Sequence, residues 1–420
     1  MSKSTRIKSK SQRKTGVTHS VPKVKPTAAP AEATDPATAG RPASGQPAVP
    51  LVEEMLTPTA PVPPKLAAKI PLRAEPSCFI PTPPRNKVDE KIRELIGMIG
   101  THPDQDLIED IIDTALRLVK DGAPRNELKL IAGAVRELRY AFNVFRQYQS
   151  VRKVSVFGSA RTPADNPEYL AARKLSQELV RQNFMVITGA GPGIMEAAQG
   201  GAGRDHSFGV NIRLPFEQSA NPVIAGDKKL ISFRYFFTRK VCFLKEASAI
   251  VLFPGGFGTH DEGFEALTLI QTGKTATIPV VFVDMPGGTY WRKWADYVAE
   301  HLLGKRLIAE EDMNLFAITD DSQWAVDHIV QFYSRYHSSR IVKDKLVLRM
   351  VSKVPEAALE RLNRQFKAML VGSNPRIEQR GPLPEEADQP ELAQMPRLVM
   401  PFNRRSYGRL RMLIDEVNRA

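Results

Sequence analysis

The residues best equipped for chemistry lie in one run, Pro254-Gly255-Gly256-Phe257-Gly258-Thr259-His260-Asp261-Glu262. Its three glycines let backbone N–H groups come close to an anion, and a helix starting there adds a favourable dipole. Thr259 is placed to cap that helix and to donate to a phosphate. Glu262 stands a turn further on, beyond any capping role, so its carboxylate is free for a reaction. An ordinary strand–turn–helix corner with a surface acid would use the same residue types. Three glycines, a threonine and a carboxylate at these spacings favour a site. Upstream stands Arg239-Lys240, where an arginine suits bidentate contact with a phosphate or a purine, the alternative being a solvated helix face.

Such residues need elements to hold them. Ala249-Ile250-Val251-Leu252-Phe253 is an apolar run of strand length, and residues 265–270 carry apolar side chains at helical spacing. The glycines therefore fall outside the carboxyl end of a strand, where open α/β sheets bind ligands. Two further corners resemble this one. Gly158-Ser159-Ala160 follows a strand read over 151–157, and Gly189-Ala190-Gly191-Pro192-Gly193 follows one over 184–187. The latter has the GxGxG form but not the usual spacing to a third glycine, and Arg213 stands where a dinucleotide site would place an acid. Gly158, Ser159, Gly191 and Gly193 are thus candidate phosphate contacts, for a small phosphorylated ligand rather than a nicotinamide or flavin dinucleotide.

The alternation extends along the chain: a helix over 167–182, strands over 207–214, 230–236 and 278–283, and helices over 290–303 and 323–336. Near-continuous apolar strands alternating with helices predict an α/β fold, a Rossmann-like doubly wound parallel sheet covered on both faces. Residues 87–150 read as a helical segment of about three helices, with breaks at 100–103 and 121–124. Past the sheet, 340–350 reads as a strand, 355–370 as a helix, 372–396 as a loop rich in proline and acid, and 410–417 as a final helix. Residues 1–86 hold 16 of the 33 prolines. Such a composition cannot bury enough apolar surface to offset its ordering entropy, so a disordered basic arm is expected. The absence of acids from the first stretch would suit a transit peptide, but proline content and lack of amphipathic spacing argue against one. The expected division is 1–86, 87–150, 151–338 and a C-terminal extension over 339–420.

Composition narrows the function classes. The 420 residues carry a net charge of +13, of which eight positive charges sit in residues 1–25 and a net six lie from residue 340 onward. The centre is close to neutral, so a nucleic-acid-binding body is not expected and the basic arm reads as solubilising. Cys78 and Cys242 are the two cysteines, far apart and without CxxC spacing, which argues against a disulfide framework. No cluster has metal-ligand spacing, so neither a metal nor a cofactor is expected. No apolar run approaches membrane-spanning length, and a soluble cytoplasmic protein is the expectation.

From about residue 151 to 336 the chain resembles the Lonely Guy (LOG) family of nucleoside 5′-monophosphate phosphoribohydrolases, or AMP nucleosidases, long mislabelled lysine decarboxylases. The resemblance rests on the pattern PGGxGTxxE, matched by Pro254 through Glu262, and on the Arg239-Lys240 pair. The stretch from Gly189 to Ala198 and Gly158-Ser159-Ala160 support it. It implies that 151–338 is a catalytic domain that hydrolyses the N-glycosidic bond of an AMP-like nucleotide, giving free base and ribose 5-phosphate. By that resemblance Glu262 and Arg239 are catalytic, Gly255, Gly256, Gly258 and Thr259 hold the phosphate, Lys240 and Thr268 contact the ligand, and the protein is a homodimer. His260 occupies a variable family position, and Asp261 stands where many members have glutamate. A carboxylate near an oxocarbenium-like ribose would stabilise its charge or orient the attacking water, as in glycosidases. Alternatives are a cytokinin riboside 5′-monophosphate as the substrate, or a non-catalytic nucleotide-binding or carrier protein on the same fold.

Overall fold

A computed structural model describes residues 87–214, 219–373 and 375–420; the arm expected over 1–86 lies outside the described residues. Three helices come first, α1 (Lys87–Ile99), α2 (Gln105–Lys120) and α3 (Arg125–Arg146). The alternating region then gives β1 (Lys153–Phe157), α4 (Pro167–Arg181), β2 (Met185–Thr188), α5 (Ile194–Ala202), β3 (Ser207–Ile212) and β4 (Leu230–Phe233). It continues through α6 (Phe236–Lys245), β5 (Ala249–Leu252), α7 (Phe257–Gln271), β6 (Val280–Val283), α8 (Tyr290–Tyr297), β7 (Ala317–Thr319) and α9 (Ser322–Phe332).

These strands form one seven-stranded parallel sheet in the order β4-β3-β2-β1-β5-β6-β7. The expected α/β, Rossmann-like fold is the observed one. Strand alternation explains its two cores. Ile250 and Leu252 point into a cluster with Phe145, Phe208, Phe243 and Trp291, while Ala249 and Val251 point the other way, to Leu175, Ala198 and Ile329. Strands buried on both faces read as unbroken apolar runs, which is why they were legible in sequence. Order reverses between β1 and β5: the chain builds outward from β1 to β4, then returns to lay β5 on the other side of β1. That switch point opens a crevice at the carboxyl ends of both strands.

Several boundaries differ from the sequence reading. The strand expected over 230–236 stops at Phe233, because Phe236 already opens α6. The helix expected over 290–303 is α-helical only to Tyr297 and widens into a π-helical turn over Val298–Leu303. The three-residue β7 is too short to show periodicity and was not anticipated. The helix expected over 323–336 ends at Phe332, and the single strand expected over 340–350 is a hairpin of β8 (Tyr336–Val342) and β9 (Lys345–Met350).

Beyond it lie α10 (Glu356–Gln365), β10 (Glu378–Arg380), β11 (Arg397–Met400) and α11 (Tyr407–Arg419). The stretch 372–396, read as loop, therefore contains a strand. A second, antiparallel sheet runs β10-β11-β9-β8. It has its own core, in which Leu348, Leu362, Leu398 and Leu413 are buried with Phe332 of α9. Asn418 of α11 ties this layer to the first: its Oδ1 accepts from the Tyr336 and Arg335 N–H groups at 2.8 and 3.0 Å, and its Nδ2 donates to the Phe332 carbonyl at 2.5 Å.

Candidate active site

The loops after β1 and β5 touch across the switch point, and backbone bonds fix them. Ser159 N–H donates to the Pro254 carbonyl at 3.0 Å, and Ile194 N–H donates to the Ser159 carbonyl at 3.0 Å. Three corners from three strands are thereby joined. Two glycines are needed for the joint. Gly193 has φ +67°, and a Cβ on it would lie 2.3 Å from the Ser159 carbonyl oxygen. A Cβ on Gly255 would fall 2.2 Å from Thr259 Oγ1 and 3.0 Å from Ser159 N. Any side chain at either position would force the loops apart.

Helix α7 opens at Phe257 with Gly256 as its N-cap residue. The expected capping role of Thr259 is therefore corrected: the helix starts earlier, and Thr259 is its third residue. The consequence is useful for anion binding. The N–H groups of the first turn, supplied by Phe257 and Gly258, have no intrahelical acceptor and lie at the positive end of the helix dipole.

The crevice is a cavity of about 820 Å³. Of the residues singled out in sequence, Gly158, Ser159, Arg239, Gly255, Gly256, Gly258, Thr259 and Glu262 line it. Gly191, Gly193, Lys240 and Thr268 are not in the lining. Gly191 is packed behind the loop, its carbonyl accepting from Asn221 Nδ2 at 3.0 Å. Thr268 sits further along α7 on an exposed face. Lys240 is committed elsewhere, its ammonium lying 2.8 Å from Asp261 and 2.6 Å from Glu265.

Glu262 is only 7% exposed, and its Oε2 is buried with no hydrogen-bond partner. Burial pushes its pKa up to about 7, against the pull of the Lys240 and Arg239 charges. Such a group takes up or gives up a proton near neutrality, which suits acid–base work. Arg239 is held rigidly. Its Nε donates to the Val210 carbonyl at 2.9 Å, and its guanidinium packs 5.0 Å from the Phe243 ring centre. Burial lowers its pKa while Glu262 opposes that shift, and a guanidinium stays charged regardless. Helix α6 is itself anchored by Glu137 of α3, whose carboxylate accepts from Thr238 Oγ1 at 2.6 Å and from Arg234 N–H at 2.8 Å.

Sequence reasoning missed Tyr290. It opens α8, whose start is fixed by Asp284 Oδ2 accepting from Trp291 N–H at 3.1 Å. Tyr290 lines the cavity; its hydroxyl donates to the Gly255 carbonyl at 2.6 Å and lies 2.7 Å from His260 Nε2. A phenol has one proton, and Gly255 receives it, so His260 Nε2 must carry the hydrogen in its own contact. Burial lowers the His260 pKa. The His260–Tyr290–Gly255 chain thus braces the glycine loop from the side. The available signal was position, since Tyr290 follows β6 at the same sheet edge as the other loops. Arg161 and Phe236, also in the lining, had no pattern to announce them, while Met195 and Phe257 lie inside the two glycine-rich runs singled out in sequence.

Among the described residues no group of three or more His, Cys, Asp or Glu side chains is placed to hold a metal ion, and no helix is long and apolar enough to cross a membrane.

The chain was compared with known proteins. Residues 193–329 match the family model described as possible lysine decarboxylase. A pyrimidine/purine nucleotide 5′-monophosphate nucleosidase of Escherichia coli (strain K12) is 28% identical over 147 residues, 33% of this chain and 32% of that protein. The chain therefore matches about a third of the length of such relatives. Among solved structures, the molybdenum cofactor binding protein of Rippkaea orientalis is 20% identical with a TM-score of 0.30, over 43% of this chain and 96% of that one. The molybdenum cofactor carrier protein of Chlamydomonas reinhardtii is 18% identical with a TM-score of 0.29, over 43% and 97%. The matched stretch, 193–329, contains both Arg239-Lys240 and the run from Pro254 to Glu262, so the similarity to the family described as possible lysine decarboxylase falls on the motifs that resemble the Lonely Guy family.

Proposed function

We propose that this protein hydrolyses the N-glycosidic bond of nucleoside 5′-monophosphates, AMP-like substrates first, releasing the free base and ribose 5-phosphate. The observation that carries the reading is Glu262: a buried carboxyl with an unpartnered oxygen and a pKa of about 7, in one cavity with Arg239 and the glycine–threonine loop. The phosphate lies against the first turn of α7, where Gly256, Gly258 and Thr259 present N–H and hydroxyl donors. Arg239 supplies fixed positive charge beside it. As the C1′–N bond breaks, its electron pair leaves with the base, which takes up a proton, and the ribose becomes oxocarbenium-like. The Glu262 carboxylate offsets that charge and accepts a proton from the water that adds to C1′. Lys240 has a structural part, holding Asp261 and Glu265 on either side of Glu262. The similarity to a nucleotide 5′-monophosphate nucleosidase of Escherichia coli supports this chemistry.

Incubation with each common nucleoside monophosphate should release free base and an equal amount of ribose 5-phosphate, followed by chromatography. Binding without base release from any of them would leave the carrier reading standing instead. A second prediction concerns the loop brace. Tyr290→Phe removes the hydroxyl that holds the Gly255 carbonyl, a loss of about 1–1.5 kcal/mol. We expect KM to rise roughly 5–10-fold with kcat nearly unchanged. A fall in kcat at constant KM would show instead that Tyr290 acts on the reacting atoms.

A further inference from the structure

The first turn of α6 is gripped from outside by α3. Its N-cap residue is Tyr235, whose side chain makes no capping bond. Glu137 of α3 takes that place: one carboxylate oxygen accepts from Arg234 N–H at 2.8 Å and the other from Thr238 Oγ1 at 2.6 Å. A carboxylate at that end faces the positive pole of the helix dipole. Thr238 Oγ1 also lies 2.9 Å from the Tyr235 carbonyl. A hydroxyl has one proton, and the nearer, charged acceptor takes it. Two more residues of α3 join in. The Tyr235 hydroxyl donates to the Lys129 carbonyl at 3.3 Å. Gly133 lies beside the same ring, and a Cβ on it would come within 2.7 Å of Tyr235 Cε2. Positions 129, 133 and 137 are four apart, so they share one face of α3.

The gripped residues, 234–238, run straight into Arg239, whose N–H donates to the Tyr235 carbonyl at 3.3 Å. Phe236 and Arg239 both line the cavity. The far end of α6 is fixed by the sheet core through Cys242, Phe243 and Leu244, and Ser155 Oγ donates to the Phe243 carbonyl at 2.9 Å. The near end, where Phe236 and Phe237 are about half exposed, takes its hold from α3. The Val210 carbonyl fixes Arg239 at its Nε, so α6 has to supply the backbone end. We infer that Glu137 is a positioning residue for the reaction: through the first turn of α6 it sets where the Arg239 guanidinium stands in the cavity. The inference rests on the role proposed for Arg239. Helix α3 is then part of the catalytic unit, and a division at residue 150 cuts through that unit. A misplacement of about 1 Å that starts far from the chemistry can cost ~10²-fold in rate. With Val210 still in place, the loss on removing Glu137 is smaller.

A double-mutant cycle on the full chain tests it, with base release measured from the common nucleoside monophosphate that the wild type cleaves best. Glu137→Ala is expected to lower kcat/KM roughly 10–30-fold, and Glu137→Gln, which keeps one acceptor oxygen, roughly 2–5-fold. In an Arg239→Ala background the loss of Glu137 should cost less than about 2-fold, because no guanidinium is left to position. Rates are taken per folded molecule, with the folded fraction read by circular dichroism, so that partial unfolding does not imitate the effect. Equal losses in the two backgrounds, or no loss in either, would overturn the inference, since Glu137 would then only hold the fold. If the wild type cleaves none of the nucleotides, the proposed activity fails, and the same cycle is read in AMP affinity. Coupling there keeps the inference and additivity ends it. A wild type that neither cleaves nor binds a nucleotide overturns both.

Discussion

Glu262→Gln is expected to abolish turnover, by roughly 10³-fold, while nucleotide binding stays within a few-fold of wild type. Glutamine keeps the shape of the side chain, so the cavity and the first turn of α7 remain as they are. What is lost, on the proposed reading, is the negative charge that would face the glycosidic bond and the oxygen that would accept a proton. The same substitution is expected to stabilise the fold above neutral pH. Burial raises the Glu262 pKa from 4.5 to about 7, so the folded state holds that proton more tightly than the unfolded chain does. Stability from this group is present while the carboxyl is protonated and is lost as pH rises from the unfolded value through about 7. The shift corresponds to about 3 kcal/mol. An amide has no such charge to strand, and the variant should melt several degrees above wild type at pH 8 but not at pH 5.

Catalysis should follow the opposite slope. If the carboxylate is the working form, kcat/KM rises with pH through about 7 and levels above it. Activity and stability then trade against each other at one residue. Near wild-type turnover in Glu262→Gln, measured as base release, would remove Glu262 from the catalytic role. A flat kcat/KM profile between pH 5.5 and 8.5 would say that ionisation of this group does not limit the reaction.

Glu386→Ala is expected to destabilise the C-terminal layer by about 3–5 kcal/mol. Glu386 Oε1 lies 2.9 Å from Arg349 Nε, and its Oε2 lies 3.1 Å from Arg397 Nε. Its Oε2 also accepts from Leu383 N–H at 3.1 Å. Arg397 is 1% exposed and Arg349 4%. Arg397 has further acceptors in the Met395 and Leu392 carbonyls, but Arg349 Nη2 is buried without a partner. Truncating the acid strands two guanidiniums in a site closed to water. Glu386→Gln should cost less, since one hydrogen-bonding oxygen survives. Burial opposes ionisation of Glu386, but the Leu383 N–H and the two arginines outweigh it and hold the pKa below its usual value. Its stabilisation is therefore present above the unfolded pKa and is lost as pH falls through the folded one. Urea titrations at pH 7 and pH 4 measure both effects. A Glu386→Ala midpoint equal to wild type would mean that the arginines find other partners.

Six of the seven strands of the parallel sheet, and the loops at its carboxyl edge, were legible in the sequence because strands buried on both faces are apolar without interruption. Ala249 to Leu252 and Val280 to Val283 show this plainly. The glycine-rich corners were legible for a related reason: a backbone pressed against another leaves no room for Cβ, as Gly255 and Gly193 show. Short or amphipathic elements were not. The three residues of β7 carry no period, and the strand within 372–396 was hidden by prolines and acids that suggest solvent. Glu386 looked like one more acid of that loop until Arg349 and Arg397 arrived from distant strands.

The run from Pro254 to Glu262 was identifiable by residue type and spacing alone, whereas its pairing with Arg239 came from the family resemblance. Type and spacing determine what local backbone can do: turn tightly, expose N–H groups, begin a helix. Only the tertiary structure decided which side chains share the cavity. It took Lys240 out of the lining and gave it to Asp261 and Glu265, left Thr268 on an outer face, and brought in Tyr290 from another strand to brace Gly255. It also moved the Glu262 pKa to about 7. The reason is the same in each case: burial and pairing depend on neighbours far apart in the chain, and no spacing rule reports them.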